Sequence, residues 1–146
     1  PEPTAAPPAP GLQTPYAPAS LAGTWGWEHR SVDPDGDRRV EREDWLFEQD
    51  GDDVRGHYDN LVTFTSGSGQ AFACSGALEY STQARFDVVG HVDGRRVHLK
   101  ETGYTVQPGP CDPGTRRLGS YLGALDEDAH TLLLDWGSGR QSLRRK

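Results

Sequence analysis

From Leu21 to the C-terminus the chain alternates apolar and polar residues, with turn signals about every 8 to 15 residues and no 3.6-residue periodicity. This pattern predicts an antiparallel meander. The predicted strands are 22–30, 39–49, 54–65, 70–80, 83–92, 95–106, 117–125 and 130–136, with a short return strand at 140–145. Because eight strands are enough to close a sheet, we predict an all-β fold, a single up-and-down barrel of eight or nine strands.

The segment before this pattern has a different character. Seven of the first 18 residues are proline, which removes backbone donors and favours an extended chain. We therefore divide the chain into a proline-rich tether at 1–20 and a barrel domain at 21–146. Such a tether would suit a bacterial lipoprotein anchored just after its lipidated cysteine. The alternative is a disordered tail without an anchor.

The charge pattern argues against several classes of partner. The formal net charge is −7, and the basic residues are scattered instead of forming a stripe that could neutralise phosphates. We expect no nucleic-acid partner. No segment approaches the ~20 apolar residues that cross a bilayer, so we expect membrane contact only through an N-terminal lipid anchor.

The two cysteines indicate the compartment. Cys74 and Cys111 lie in segments rich in glycine, serine and proline, and two such cysteines in a small domain predict one disulfide. Two unpaired thiols are the alternative. A disulfide implies export, and we expect a periplasmic protein or one anchored at the outer membrane.

A two-residue turn signal, Asp93-Gly94, predicts the register of one hairpin. Val92 is expected to pair with Arg95, which places Phe86 opposite Glu101 and turns both inward. On the outer face this register sets Asp87 opposite Lys100 and His91 opposite Arg96. His91 and His98 therefore point outward and are not expected to be ligands.

Two further turns predict the register of two more hairpins. The turn at 50–53 pairs Gln49 with Val54, Phe47 with Gly56 and Trp45 with Tyr58. The turn at Glu127-Asp128 pairs Leu125 with Leu132, Gly123 with Leu134 and Tyr121 with Trp136. Glycine opposite a large side chain recurs in all three hairpins, which indicates that the interior accepts one bulky group per pair.

The inward positions are rich in aromatic residues and include one carboxylate. They are Trp27, Trp45, Phe47, Tyr58, Phe86, Glu101, Tyr121 and Trp136. One interpretation is a barrel filled by its own side chains. The other is a pocket at one mouth, with aromatic walls and a few polar groups. Glu101 favours the second, because a buried carboxylate needs a partner or water; an arginine from the last strand is a candidate partner.

Gly23 and Trp25 on the first strand, with Arg144 and Arg145 at the end of the last, resemble a lipocalin-like, or calycin, barrel. The resemblance implies that an arginine stacks across the tryptophan ring. A second resemblance is to the small periplasmic inhibitors of bacterial metalloproteases. They combine an eight-stranded barrel, one disulfide and an N-terminal segment that enters the protease cleft.

Metal and catalytic chemistry have weaker support. Asp33, Asp35 and Asp37, followed by Glu41 and Asp44, occupy the spacing of a calcium loop, but Arg38 stands where that loop needs glycine. We therefore favour an acidic surface loop between the first two strands and expect no metal site. Because no histidine pair has zinc spacing and Ser75 has no predicted base, we expect no cofactor and no enzyme activity.

The sequence thus predicts an exported, non-enzymatic barrel that binds a small apolar or amphipathic molecule at one mouth. The alternative is a protein-interaction module, inhibitor-like or structural, with a fully packed barrel.

Overall fold

The computed structural model describes residues 20–112 and 114–146, so the predicted tether lies outside the described residues except for Ser20. Within them every regular element is a strand, and no helix is long and apolar enough to span a membrane. Each strand pairs with the next and the first pairs with the last, forming a closed antiparallel barrel. This confirms the predicted fold class. The strands are Gly23–Val32 (β1), Arg38–Asp50 (β2), Asp53–Thr65 (β3), Glu79–Asp93 (β4), Arg96–Val106 (β5), Ser120–Leu125 (β6), Thr131–Asp135 (β7) and Arg140–Arg145 (β8).

The predicted strand at 70–80 is wrong. Only its last two residues belong to a strand, because β4 begins at Glu79. The rest folds into a loop closed by backbone hydrogen bonds from Phe72 N to Ala77 O and from Gly76 N to Phe72 O, both 2.8 Å. Gly76 has a φ of 67°, which glycine adopts without strain. The segment at 140–145 is therefore the eighth strand.

The hairpin of β2 and β3 has the predicted register. Trp45, Phe47 and Gln49 pair with Tyr58, Gly56 and Val54. The pairs of Leu125 with Leu132 and of Gly123 with Leu134 are also confirmed. Trp136 lies one residue beyond the end of β7, although its ring centroid is 6.3 Å from that of Tyr121.

The predicted register of β4 and β5 is shifted by two residues. Val92 pairs with Val97 instead of Arg95, because the turn is centred on Gly94-Arg95 and not on Asp93-Gly94. Gly94 has a φ of 62° at the position where type II′ turns favour glycine. Since side chains alternate with a period of two, this shift leaves the inward set unchanged.

This shift and a bulge at Thr102 change the partners on both faces. Outside, Asp87 pairs with Gly103 and His91 pairs with His98, whose exposed rings stack at 4.8 Å. Inside, the shift pairs Val88 with Glu101, and the bulge pairs Phe86 with Tyr104. The bulge reverses the alternation along β5, because one extra residue re-aims the side chains that follow it.

One end of the barrel is filled. It is the end with the short connections between β2 and β3, β4 and β5, and β6 and β7. The core there includes Leu21, which precedes β1 and is fully buried. Its backbone N–H donates to Gln49 Oε1 at 2.7 Å. Other members are Phe47, Val54, Val92, Val97, Leu125, Leu132 and Leu143.

Trp25 and Arg145 close the seam between β1 and β8. Trp25 is fully buried, and the Arg145 guanidinium carbon lies 4.3 Å from its ring centroid. The same guanidinium donates to the carbonyl oxygens of Ser20, Ala22 and Ala129 at 2.8 to 2.9 Å. Of the two predicted arginines, Arg144 does not stack on the ring. It points outward because it alternates with the inward Leu143 and Arg145.

Cys74 and Cys111 form the predicted disulfide. Their Cα atoms are 5.2 Å apart across a sequence separation of 37 residues. The bridge ties the loop before β4 to the loop between β5 and β6. Both loops lie at the end of the barrel opposite the filled one.

Candidate functional site

A row of aromatic rings crosses the barrel interior on four neighbouring strands. Trp45, Tyr58, Phe86 and Tyr104 are successive partners in the strand register. Their ring centroids are separated by 4.0, 4.9 and 5.5 Å, and neighbouring planes are inclined by at most 26°. Stacked rings of this kind add to the energy of area burial. The row separates the filled end from the end with the long loops.

A cavity of about 580 Å³ opens at the long-loop end. It is bounded by residues of β1 to β6 and β8, by the loop before β6 and by the connection between β7 and β8. A depression of about 400 Å³ beside the turn of β2 and β3 lies within a single hairpin, whereas this cavity is the mouth of the barrel itself. Its lining residues are Trp27, Glu41, Glu43, Tyr58, Asn60, Phe86, Glu101, Arg116, Arg117, Leu118, Gly119, Ser120, Tyr121, Trp136, Ser138 and Gln141.

Six of the eight predicted binding residues line this cavity: Trp27, Tyr58, Phe86, Glu101, Tyr121 and Trp136. Trp45 and Phe47 do not. Each is 1% exposed, because they lie further along β2 toward the filled end. They belong to the packed core, so the two interpretations of the interior each describe one end of the barrel.

Glu101 faces inward as predicted, but its partners are not arginines. Its Oε2 accepts hydrogen bonds from the hydroxyl of Tyr58 and from that of Tyr121 at 2.7 Å. Its Oε1 accepts the backbone N–H of Gly119 at 2.8 Å. Glu101 is 4% exposed, and three donors compensate the buried carboxylate. It therefore connects β3, β6 and the loop before β6.

The two tyrosines serve as donors in this cluster. Burial raises the pKa of Tyr58 and of Tyr121 well above the ordinary value, and the carboxylate of Glu101 raises both further. Both phenols therefore keep their protons across the physiological range. The cluster is a fixed arrangement of neutral donors around one acceptor.

Glu43 is a second buried carboxylate of the cavity. It is 7% exposed and accepts hydrogen bonds from Trp45 Nε1 at 3.0 Å, from Asn60 Nδ2 at 2.9 Å and from Gln141 Nε2. Burial raises the pKa of Glu43 to about 7, against the opposing effect of these three donors, and neighbouring Glu41 raises it further. Glu43 therefore titrates near neutral pH.

The sequence analysis missed Glu43, Asn60 and Gln141 as interior residues. The signal was the alternation itself. Glu43 lies two residues before the inward Trp45, Asn60 lies two residues after the inward Tyr58, and Gln141 lies two residues before Leu143. A polar residue at an inward position looks like the end of a buried stretch. The predicted run of inward residues therefore stopped before these three positions.

Residues 116–119, at the end of the loop at 107–119, form one wall of the cavity. Cys111 anchors this loop through the disulfide, and Arg116 N donates to the Tyr104 hydroxyl at 3.4 Å. The Arg116 guanidinium carbon lies 5.9 Å from the Phe86 ring centroid. This loop supplies the two basic residues of the lining, Arg116 and Arg117, which sequence reasoning did not assign to the site.

The acidic turn between β1 and β2 lies outside this cavity. Carboxylate oxygens of Asp33, Asp35 and Asp37 lie within 4.8 Å of one another. Asp33 Oδ1 accepts the backbone N–H groups of Asp35 and Asp37, both at 3.0 Å, which is the role expected of an acidic turn residue. Among the described residues Glu41 and Asp44 are not part of this cluster. These hydrogen bonds fit the acidic surface turn, which the sequence favours over a calcium loop.

Comparison with known proteins finds no matching family model, no matching curated protein and no matching solved structure. The closed eight-stranded barrel is consistent with a lipocalin-like fold, and that resemblance stands on the architecture alone.

Proposed function

We propose that the protein is a non-enzymatic binding module that holds a small amphipathic molecule in the mouth of its barrel. The observation that carries this proposal is the cavity of about 580 Å³ at the long-loop end. Small-molecule sites typically measure about 300 to 1,000 Å³ and combine apolar walls with a few placed polar groups. The volume of the cavity lies in this range, and its walls combine six aromatic or aliphatic side chains with nine polar or charged ones, which suits an amphipathic ligand.

The division of the barrel into two ends supports the proposal. Stability comes from the filled end, where Trp25 and Leu21 are fully buried. At the other end Trp27 is half-buried and Trp136 is 49% exposed. Large aromatic side chains left open around a concave mouth offer apolar area to a ligand. A packed scaffold carrying an open mouth is how small barrels hold one ligand.

Export is part of the proposal. The disulfide between Cys74 and Cys111 fits an oxidising compartment, and it fixes the loop that walls the cavity. We propose that the protein acts outside the cytoplasm, in the periplasm or tethered at a membrane through its N-terminal segment.

A neutral apolar dye tests the binding function without assuming a head group. N-phenylnaphthylamine, whose fluorescence rises in apolar surroundings, should bind the wild-type protein. Trp27→Ala should weaken binding severalfold, because it removes one wall of the cavity. Leu122→Ala is the matched control, since Leu122 is 61% exposed on the outer face.

Two results would contradict the proposal. One is the absence of a saturable fluorescence increase in the wild-type protein. The other is a greater loss of affinity in Leu122→Ala than in Trp27→Ala, which would move the dye to the outer surface. Either result would favour the protein-interaction alternative.

A further inference from the structure

The cavity has an acidic side, formed by Glu41 and Glu43 on β2 and Asn60 on β3. Asn60 Nδ2 donates to Glu41 Oε2 at 2.7 Å and to Glu43 Oε2 at 2.9 Å. Glu43 and Asn60 are direct partners in the strand register, so backbone pairing fixes this bridge. One amide therefore holds two carboxylates side by side at the wall of the cavity.

The carbonyl oxygen of the same amide is unsatisfied. Asn60 is 3% exposed, and among the described residues its Oδ1 has no hydrogen-bond partner. Rotating the amide by half a turn would place Oδ1 against two carboxylate oxygens, so the observed orientation is the better one. Buried acceptors are rarely left unpaired in folded proteins. The lone pairs of Asn60 Oδ1 remain free for a donor.

Charge on this side is only partly compensated. Glu41 forms an ion pair with Arg39 at 3.1 Å. In the described part of the chain, Glu43 forms no ion pair, and its donors, Trp45, Asn60 and Gln141, are all neutral. A buried carboxylate that has no cation beside it is stabilised when a cation binds there.

The other charged groups of the lining come from β5 and from the loop at 107–119. Glu101 is satisfied by neutral donors. Arg116 and Arg117 line the cavity, and Arg116 lies over the Phe86 ring. Within residues 20–112 and 114–146 no ion pair joins either arginine to Glu43 or Glu101.

We propose that the ligand carries a cationic head group with several N–H donors, a primary ammonium or a guanidinium, held by Glu41, Glu43 and Asn60 Oδ1. This proposal rests on the proposed function and specifies its ligand class. All three residues line the cavity, and Asn60 bonds both carboxylates, so their acceptors suit a head group that donates in several directions. Trp27 and Trp136 pack against the body of the ligand, and their ring faces also attract a cation.

Three probes that share one apolar chain distinguish recognition of the head group from the apolar contact. Phenylbutylamine, phenylbutanol and phenylbutanoate share a phenylbutyl chain and carry an ammonium, a hydroxyl and a carboxylate. Each is titrated into the disulfide-bonded protein by isothermal titration calorimetry near pH 8. The amine should bind about tenfold or more tightly than the alcohol, as expected for charge-assisted hydrogen bonds, and the carboxylate should bind most weakly.

One substitution tests whether the acidic side causes the preference for the amine over the alcohol. Glu43→Gln should bring the affinity ratio of amine to alcohol close to one. Glu48→Gln is the matched control: it makes the same change on the same strand, but its side chain is 67% exposed on the outer face, and it should keep the wild-type ratio. If Glu43→Gln does not fold, the wild-type ranking decides.

The outcomes separate this proposal from the one on which it rests. Equal affinities for amine and alcohol would overturn the cationic head group and leave the binding function intact. Tighter binding of the carboxylate would also overturn it, assigning recognition to Arg116 and Arg117. If none of the probes binds and the neutral dye also fails to bind, the binding function itself is overturned.

Discussion

Burial of Glu43 makes a quantitative prediction about stability. Its pKa is raised from 4.5 to about 7 in the folded protein, so between these values the folded state keeps a proton that the unfolded state has lost. The free energy of unfolding then falls as the pH rises. One pKa unit corresponds to about 1.4 kcal/mol, so the contribution of Glu43 amounts to about 3 kcal/mol across this window.

Glu43→Gln removes the titrating group while keeping the shape of the side chain. The wild type should lose the stability due to Glu43 between about pH 4.5 and pH 7, whereas the variant cannot. The difference in unfolding free energy, variant minus wild type, should therefore increase by about 3 kcal/mol between about pH 4 and pH 8. Urea unfolding at constant ionic strength, followed by tryptophan fluorescence, measures this difference.

Glu48→Gln is again the control, because Glu48 is exposed and pairs with Arg55 at the surface. Its difference from the wild type should change little with pH. A pH-independent difference for Glu43→Gln would refute the reasoning. It would mean that the hydrogen bonds from Trp45, Asn60 and Gln141 offset burial, so that the pKa of Glu43 is the same in the folded and unfolded protein.

Three further predictions concern the scaffold, and denaturant unfolding checks each. Trp25→Ala should cost about 3 to 5 kcal/mol as a large core deletion; a near-neutral effect would contradict its role at the seam. Gly56→Ala should lower the free energy of unfolding by ~2 kcal/mol, because a Cβ at residue 56 would lie 1.9 Å from a backbone oxygen. Gly103→Ala should lower it less, because nothing lies within 4 Å of a Cβ at residue 103. Replacing Cys74 and Cys111 by serine should cost about 4 kcal/mol for a separation of 37 residues; an unchanged midpoint would refute this.

Strand period and turn chemistry were enough to predict most of the barrel. The turn at 50–53 fixed the register of β2 and β3 because its glycine, Gly51, takes the positive φ that the turn requires. Residues 70–78 of the loop before β4 were misread as part of a strand, since the apolar residues Phe72 and Leu78 mimic alternation. A disulfide and local hydrogen bonds hold that loop, and neither has a periodic signal.

The site was less predictable than the fold for a physical reason. Trp27 followed from alternation, and Tyr58 and Glu101 followed from alternation together with the turn signals. The bulge at Thr102 was missed, although the apolar positions change phase between Leu99 and Tyr104 and a glycine, Gly103, stands inside the strand. The acidic side depends on which polar residues the closing barrel brings together, and this requires the register of β2, β3 and β8 at once. The arginines of the loop at 107–119 have no periodic pattern.

The four tryptophans provide the most direct test of the central claim, that a ligand occupies the barrel mouth. Each gives one indole N–H signal in a proton–nitrogen correlation spectrum. Trp27 and Trp136 line the cavity, whereas Trp25 Nε1 donates to Leu21 O inside the filled end at 2.9 Å. Titration with phenylbutylamine should shift the signals of Trp27 and Trp136 and leave that of Trp25 in place. A saturable shift of Trp25 with Trp27 and Trp136 unmoved would contradict the claim.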